Sequence, residues 1–145
     1  MPVSLAISRA DAKSASKRER AAATDHAGLP AALVRAIDRE KREHCRRLVW
    51  LVAAALAVLP ENARVRLRRP CSPALVPQCA MYLAHVVFAF SFADIGHAFG
   101  RDRRTVAHAC RVMETRRDDP VFDAVLEALE SACAARQRSV PEARP

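Results

Sequence analysis

Between residues 101 and 115 the polar side chains Arg101, Arg103, Arg104, Thr105, His108, Arg111 and Thr115 are hydrogen-bond donors, with Asp102 the one carboxylate among the first five positions. At 100° per residue, Arg101, Arg104, Thr105, His108, Arg111 and Thr115 gather on one side of a helix, and Val106, Ala109, Cys110 and Met113 gather on the other. An arginine fork can pair with a guanine edge or bond a phosphate, so such a face suits the major groove of double-stranded DNA. A solvated charged face is the competing reading, because such faces are common on any helical protein.

Arg64, Arg66, Arg68 and Arg69 form a second basic cluster within ENARVRLRRPCSP, which the prolines at 60, 70 and 73 mark as a loop. Arginines on a loop can enter a minor groove or hold the phosphate backbone. Alternatively they only keep an apolar chain in solution. Between Pro60 and Arg117 ten arginines stand against four carboxylates, a balance of +6 out of the chain's +8.

The elements that must position these groups are helical throughout. Aromatic residues are 5% and glycines number three, while alanine, leucine and arginine abound, so an all-α, compact helical fold of one domain is expected. Residues 31–47, with a thin stripe of Leu33, Ile37, Cys45 and Leu48 beside charges, suggest an exposed helix that continues into the apolar run 48–59, a core helix. Trp50 in that run is read as core, with an interface anchor as the alternative. A scaffold helix follows from about residue 74 or 77 to Phe90, burying Met81, Ala84, Val87 and Phe88 in some combination.

Ser91 can cap a short helix bearing Phe92, Ile95 and Phe99, and Gly100 can supply the left-handed residue that ends it. Asp102 offers the cap of a third helix running to about Arg117, and Asp119 with Pro120 restarts the chain. This layout of helix, glycine turn and helix is a helix-turn-helix spanning about residues 91–115. Gly96 lets the two elements approach closely, and Ile95 and Phe99 face Val106 and Cys110. A last helix carries Phe122, Val125, Leu126, Leu129 and Cys133 on one stripe. The domain is thus placed at 29–136, between a mobile basic tail over 1–28 and a polar tail over 137–145.

Several function classes are disfavoured. The five cysteines are scattered without a Cys-x-x-Cys pair, which argues against a disulfide framework or a zinc site and fits a reducing cytoplasm. The twelve-residue apolar run is short of the ~20 that span a bilayer, and the basic first residues lack the apolar stretch of a secretory signal. Cys110 and His108 lie two apart on a helix, about 200° from one another, so they make no catalytic pair and no enzyme is expected. No G-x-x-x-x-G-K-[ST] occurs, so neither a nucleotide site nor a cofactor is expected.

Residues 71–114, containing AMYLA, SFADIGHAFG and RDRRTVAHAC, resemble the C-terminal DNA-binding domain of the bacterial replication initiator family DnaA. Looser similarity reaches upstream through LVWLVAAALAVLPENA, so the resemblance covers about residues 47–117. It implies a stand-alone initiator-type reader of double-stranded DNA, bacterial, cytoplasmic and nucleoid-associated, acting in transcription or replication control without the family's ATPase. Arg101, Asp102 and Thr105 fall on signature positions near DNA, with His108 on the same helix. Arg103 and Arg104 stand where the family has His-Thr, and one glycine is missing from the turn before Arg101. The family places arginines around its loop proline where this chain has Val76, Pro77, Gln78 and Cys79, so a minor-groove contact falls to Arg66, Arg68 or Arg69. The expected DNA-contacting set is completed by Arg103, Arg104 and Arg111. A homo-oligomer is possible, and the alternative function is a protein-interaction adaptor reusing the same scaffold.

Overall fold

In a computed structural model, residues 28–67 and 74–139 are described, and they are all-α. Six helices occur among the described residues. They are α1 (Ala31–Val58), α2 (Glu61–Leu67), α3 (Leu75–Val86), α4 (Phe92–Phe99), α5 (Arg103–Arg116) and α6 (Pro120–Arg138). Residues 1–27, 68–73 and 140–145 lie outside the described set, and with them Arg68, Arg69, Cys71, nearly all of the expected N-terminal tail and residues 140–145 of the expected C-terminal one.

Every side chain of α3 from Cys79 to Ala84 is buried, and α1, α4, α5 and α6 all pack against this helix. Its sequence permits this because Cys-Ala-Met-Tyr-Leu-Ala has no charged side chain on any face. Pro77 is accommodated in the first turn, where a missing N–H has no intrahelical partner to lose. The helix stops at Val86, earlier than the sequence implies. Residues 87–90 turn back through Ala89, whose φ of 55° is left-handed, and the Phe90 N–H donates to the Ala84 carbonyl. His85 Nδ1 lies 2.9 Å from the Phe90 carbonyl, and Phe88 and Phe90 meet His44 of α1 edge to face.

The exposed helix 31–47 and the apolar run 48–59 form one continuous helix, α1. Only one side of it reaches the core, through Cys45, Leu48 and Val52. Leu33 is 46% exposed, in keeping with an exposed helix, but the expectation of a core helix over 48–59 holds on one side alone: Trp50 is 75% exposed and Val58 82%. Repeated alanines and leucines leave a sequence reader no polar side to choose, whereas the packing partners α3 and α4 cover only one face.

Residues 61–67 form a helix rather than the expected loop. Glu61 in the first turn and Arg64 and Arg66 in the last complement the helix dipole, and Leu67 is buried. Pro60 does not oppose this, since it stands before the first turn, where its carbonyl accepts from the Arg64 N–H. α6 starts as expected, with Asp119 accepting from the Val121 N–H and Pro120 at the first position, and it buries Phe122, Leu126, Leu129 and Cys133. It continues to Arg138, two residues beyond the boundary drawn from sequence.

Burial pushes the thiols of Cys45 and Cys79 up to about 11 and about 12, with the charge of Asp94 adding to the first and Cys133 and Glu130 to the second. Cys110 is buried on the core side of α5. No helix among the described residues is long and apolar enough to cross a membrane.

Candidate nucleic-acid interface

The turn joining α4 to α5 is built from local hydrogen bonds. Ser91 Oγ accepts from the Asp94 N–H at 3.1 Å and starts α4. Gly100 adopts φ 63°, ψ 37°, and the Arg101 N–H donates to the Gly96 carbonyl at 2.8 Å while the Gly100 N–H reaches the His97 carbonyl. These paired bonds satisfy the carbonyls left open at the end of α4. Asp102 Oδ1 then accepts from the Thr105 N–H at 2.7 Å and starts α5.

Gly96 is required by contact. A Cβ there would sit 2.6 Å from the Arg101 carbonyl oxygen, which is fixed backbone. The close approach is therefore between α4 and the turn, where the sequence had placed it between two helices. Ile95, Val106, Ala109, Cys110 and Met113 are buried together beneath, with Phe99 partly buried against them.

On the outer side, Arg101, Asp102, Arg103, Arg104, Thr105, His108 and Arg111 are all exposed, with Arg104, His108 and Arg111 on one face of α5 and Arg103 and Thr105 to either side of it. No ion pair among the described residues engages Arg101, Arg103, Arg104 or Arg111. The Thr105 N–H and hydroxyl, with the charge of Arg104 a smaller influence, hold the Asp102 carboxyl below its ordinary value. Positive side chains thus crowd the positive end of a helix dipole, and Asp102 is the local charge that offsets them.

Arg66 lies elsewhere. It pairs with Asp119 at 3.5 Å, beyond the C-terminal end of α5. Since α5 has fourteen residues, this end is about 20 Å from Arg103. Arg68 and Arg69 fall outside the described residues.

The sequence reading also missed what Arg116 and Arg117 do. Arg116 donates to the Leu67 carbonyl and lies over the Phe122 ring, 5.0 Å from its centroid. Arg117 donates to Asp123 Oδ1 and Glu130 Oε1, each at 2.6 Å, and to the Tyr82 hydroxyl at 2.8 Å. Burial disfavours the Arg117 charge, but the Asp123 and Tyr82 hydrogen bonds outweigh it and hold the pKa above the ordinary arginine value. Burial raises the Tyr82 hydroxyl to about 12 despite the opposing Arg117 hydrogen bond. These two arginines bind the end of α5 to α2, α3 and α6 and belong to the fold. The signal available in sequence was the acidic pair Asp123 and Glu130, seven residues and so two turns apart on one face of the last helix.

Residues 50–112 match the family described as the bacterial dnaA protein helix-turn-helix. Over this segment the chain is similar to the helix-turn-helix of DnaA proteins. The chromosomal replication initiator protein DnaA of Acinetobacter baumannii strain AYE is 52% identical over 48 residues, and that of Acinetobacter baylyi is 48% identical over 48 residues. Each alignment covers 32% of this chain and 10% of the relative, so the chain spans about a tenth of the length of the curated relatives it matches. No solved structure matches it significantly. The DnaA-type segment ends at residue 112, so the Arg116 and Arg117 contacts and all of α6 lie beyond the match.

Proposed function

We propose that this chain binds double-stranded DNA with α5 as the recognition helix, acting as a regulator of transcription or of access to a replication origin in a bacterial cytoplasm. The observation that carries the reading is the set of exposed donors, free of ion pairs among the described residues, on the first half of a capped helix within a DnaA-type helix-turn-helix. In this reading Arg104, Thr105 and His108 approach base edges or adjacent phosphates, and Arg101, Arg103 and Arg111 hold phosphates. Asp102 fixes the first turn. Arg66, Arg68 and Arg69 serve a flanking groove. The roughly 20 Å between Arg103 and the Arg66 end of α5 is about half a turn of DNA, which supports two separate points of contact.

Arginine at 104 offers a charge and a paired bond to guanine where threonine offers one hydroxyl and a methyl, so the preferred sequence differs from the initiator's usual site. Within these 145 residues there is no phosphate-cradling glycine loop, and the proposed role needs DNA binding alone. Selection from a random duplex pool at two salt concentrations tests the reading. An enriched motif that survives the higher salt is expected; salt-sensitive recovery with no motif would make the chain a nonspecific DNA coater.

A second reading is favoured by Trp50, which at 75% exposed is the largest uncovered apolar side chain of the molecule's described part. There the helix-turn-helix serves as a scaffold and the exposed side of α1 as an oligomer or partner surface. A stable dimer together with no duplex binding at low salt would select this alternative.

A further inference from the structure

Four exposed arginines on α1, Arg35, Arg39, Arg42 and Arg46, recur at intervals of four, three and four residues. At 100° per residue they fall within roughly 60° of arc, and at 1.5 Å per residue they span about 16 Å. The stripe is turned roughly 120° from the Cys45, Leu48 and Val52 side that enters the core. Among the described residues one ion pair touches it, Arg46 to Glu43 at 3.3 Å, with both side chains well exposed and easily released. Residues 31–47 hold six arginines and lysines against Asp38, Glu40 and Glu43.

The stripe borders the helix-turn-helix. Lys41 Nζ is 2.7 Å from Asp94 Oδ2 in the first turn of α4, which pins the middle of α1 to that helix. Beside this pair lies a groove of about 260 Å³, with Asp38, Lys41 and Arg42 on its α1 wall and Ala93, Asp94 and His97 on its α4 wall. Ala93 and His97 are one turn apart and exposed on α4, and Arg101 follows two residues after that helix ends. The groove thus joins the Arg42 part of the stripe to the exposed face of α4.

We propose that the arginine stripe of α1 is a second phosphate-binding surface, which holds the backbone of the same DNA duplex beyond the stretch covered by α5. It rests on the DNA-binding reading above. The partner is indicated by charge and by length. Sixteen ångströms is long enough to meet a few successive phosphates of one strand, and a run of guanidinium groups with almost no paired carboxylate suits a repeating anion better than an isolated one. Contacts of this kind carry no sequence information and lengthen the footprint.

The test measures the full chain by fluorescence anisotropy on duplexes of about one helical turn and about three turns, across a salt series. It compares the parent with a combined Arg35→Gln, Arg39→Gln and Arg46→Gln variant. The parent is expected to prefer the longer duplex, and the variant to lose most of that preference while binding the short duplex like the parent. On the long duplex its log–log salt slope falls by about 2.7, so that each doubling of salt weakens the parent about sixfold more than the variant. The matching lysine variant, which keeps charge and helix, retains the parental slope, which separates phosphate binding from loss of fold. An unchanged slope on the long duplex overturns the proposal. So does a variant that loses binding to phosphatidylglycerol vesicles while keeping the parental DNA slope, which would assign the stripe to a membrane surface. Arg104→Ala separates the two readings: it weakens both duplexes if α5 reads DNA, and a parent that binds neither duplex overturns both.

Discussion

The two ends of the recognition helix are both rich in arginine and use it in opposite ways. At the first turn Arg101, Arg103 and Arg104 stand exposed without an ion pair among the described residues, beside the capping carboxylate of Asp102. At the last turn Arg116 and Arg117 are partly buried and engage a carbonyl, an aromatic ring, two carboxylates and a phenol. A count of charge along the chain treats the five alike. Two of the ten arginines counted between Pro60 and Arg117 in fact hold the fold together.

The sharpest way to break the comparison is at Arg117. Arg117→Ala leaves Asp123 and Glu130 facing each other with the Tyr82 hydroxyl unserved, and should cost about 3 kcal/mol, at the upper end for a charged, part-buried hydrogen-bonded network. Urea unfolding checks it, and DNA affinity at saturating folded fraction should be little changed. Gly96→Ala strikes the joint between α4 and the turn. Its Cβ meets fixed backbone at 2.6 Å, so a loss of about 2 kcal/mol is expected by the same measurement, together with weaker DNA binding because Arg101 is displaced.

At the other end, Arg104→Ala should leave the unfolding midpoint unchanged and cost about 1–3 kcal/mol on the preferred duplex, with relaxed choice at one base position, read by competition binding. Ala89→Gly, remote from both ends, relieves a left-handed alanine and should stabilise the fold by about 1 kcal/mol without altering binding. The smallest effect is one of pH. Because the Asp102 carboxyl is held below its ordinary value, its contribution to the first turn of α5 is complete above about pH 4 and fades as pH falls through the lower folded value. Asp102→Ala removes that dependence, as amide exchange at Thr105 would report.

These contrasts mark what could be read from sequence. The caps Ser91, Asp102 and Asp119 and the left-handed Gly100 act within three or four residues of themselves, so residue type and spacing were enough to locate α4, α5 and the start of α6. The exposed face of α5 followed from its period. What failed depends on distant partners: Arg117 meets Tyr82, 35 positions earlier, and Arg116 meets Leu67, 49 positions earlier. Prolines at 60, 70 and 73 masked the helix Glu61–Leu67, although the first of them only precedes it. Trp50 was assigned to the core because an indole is usually covered, and no local signal told which side of an alanine-rich helix the neighbours would occupy.

That misassigned indole has a practical consequence. The chain holds a single tryptophan, and it stands on α1 one turn beyond Arg46, on the same side as the arginine stripe. Its emission is therefore a built-in optical reporter of α1 rather than of α5. A duplex held by the recognition helix alone should leave the spectrum unshifted, while one that also lies along the stripe should quench it, so the extent of the footprint can be followed on the unlabelled protein.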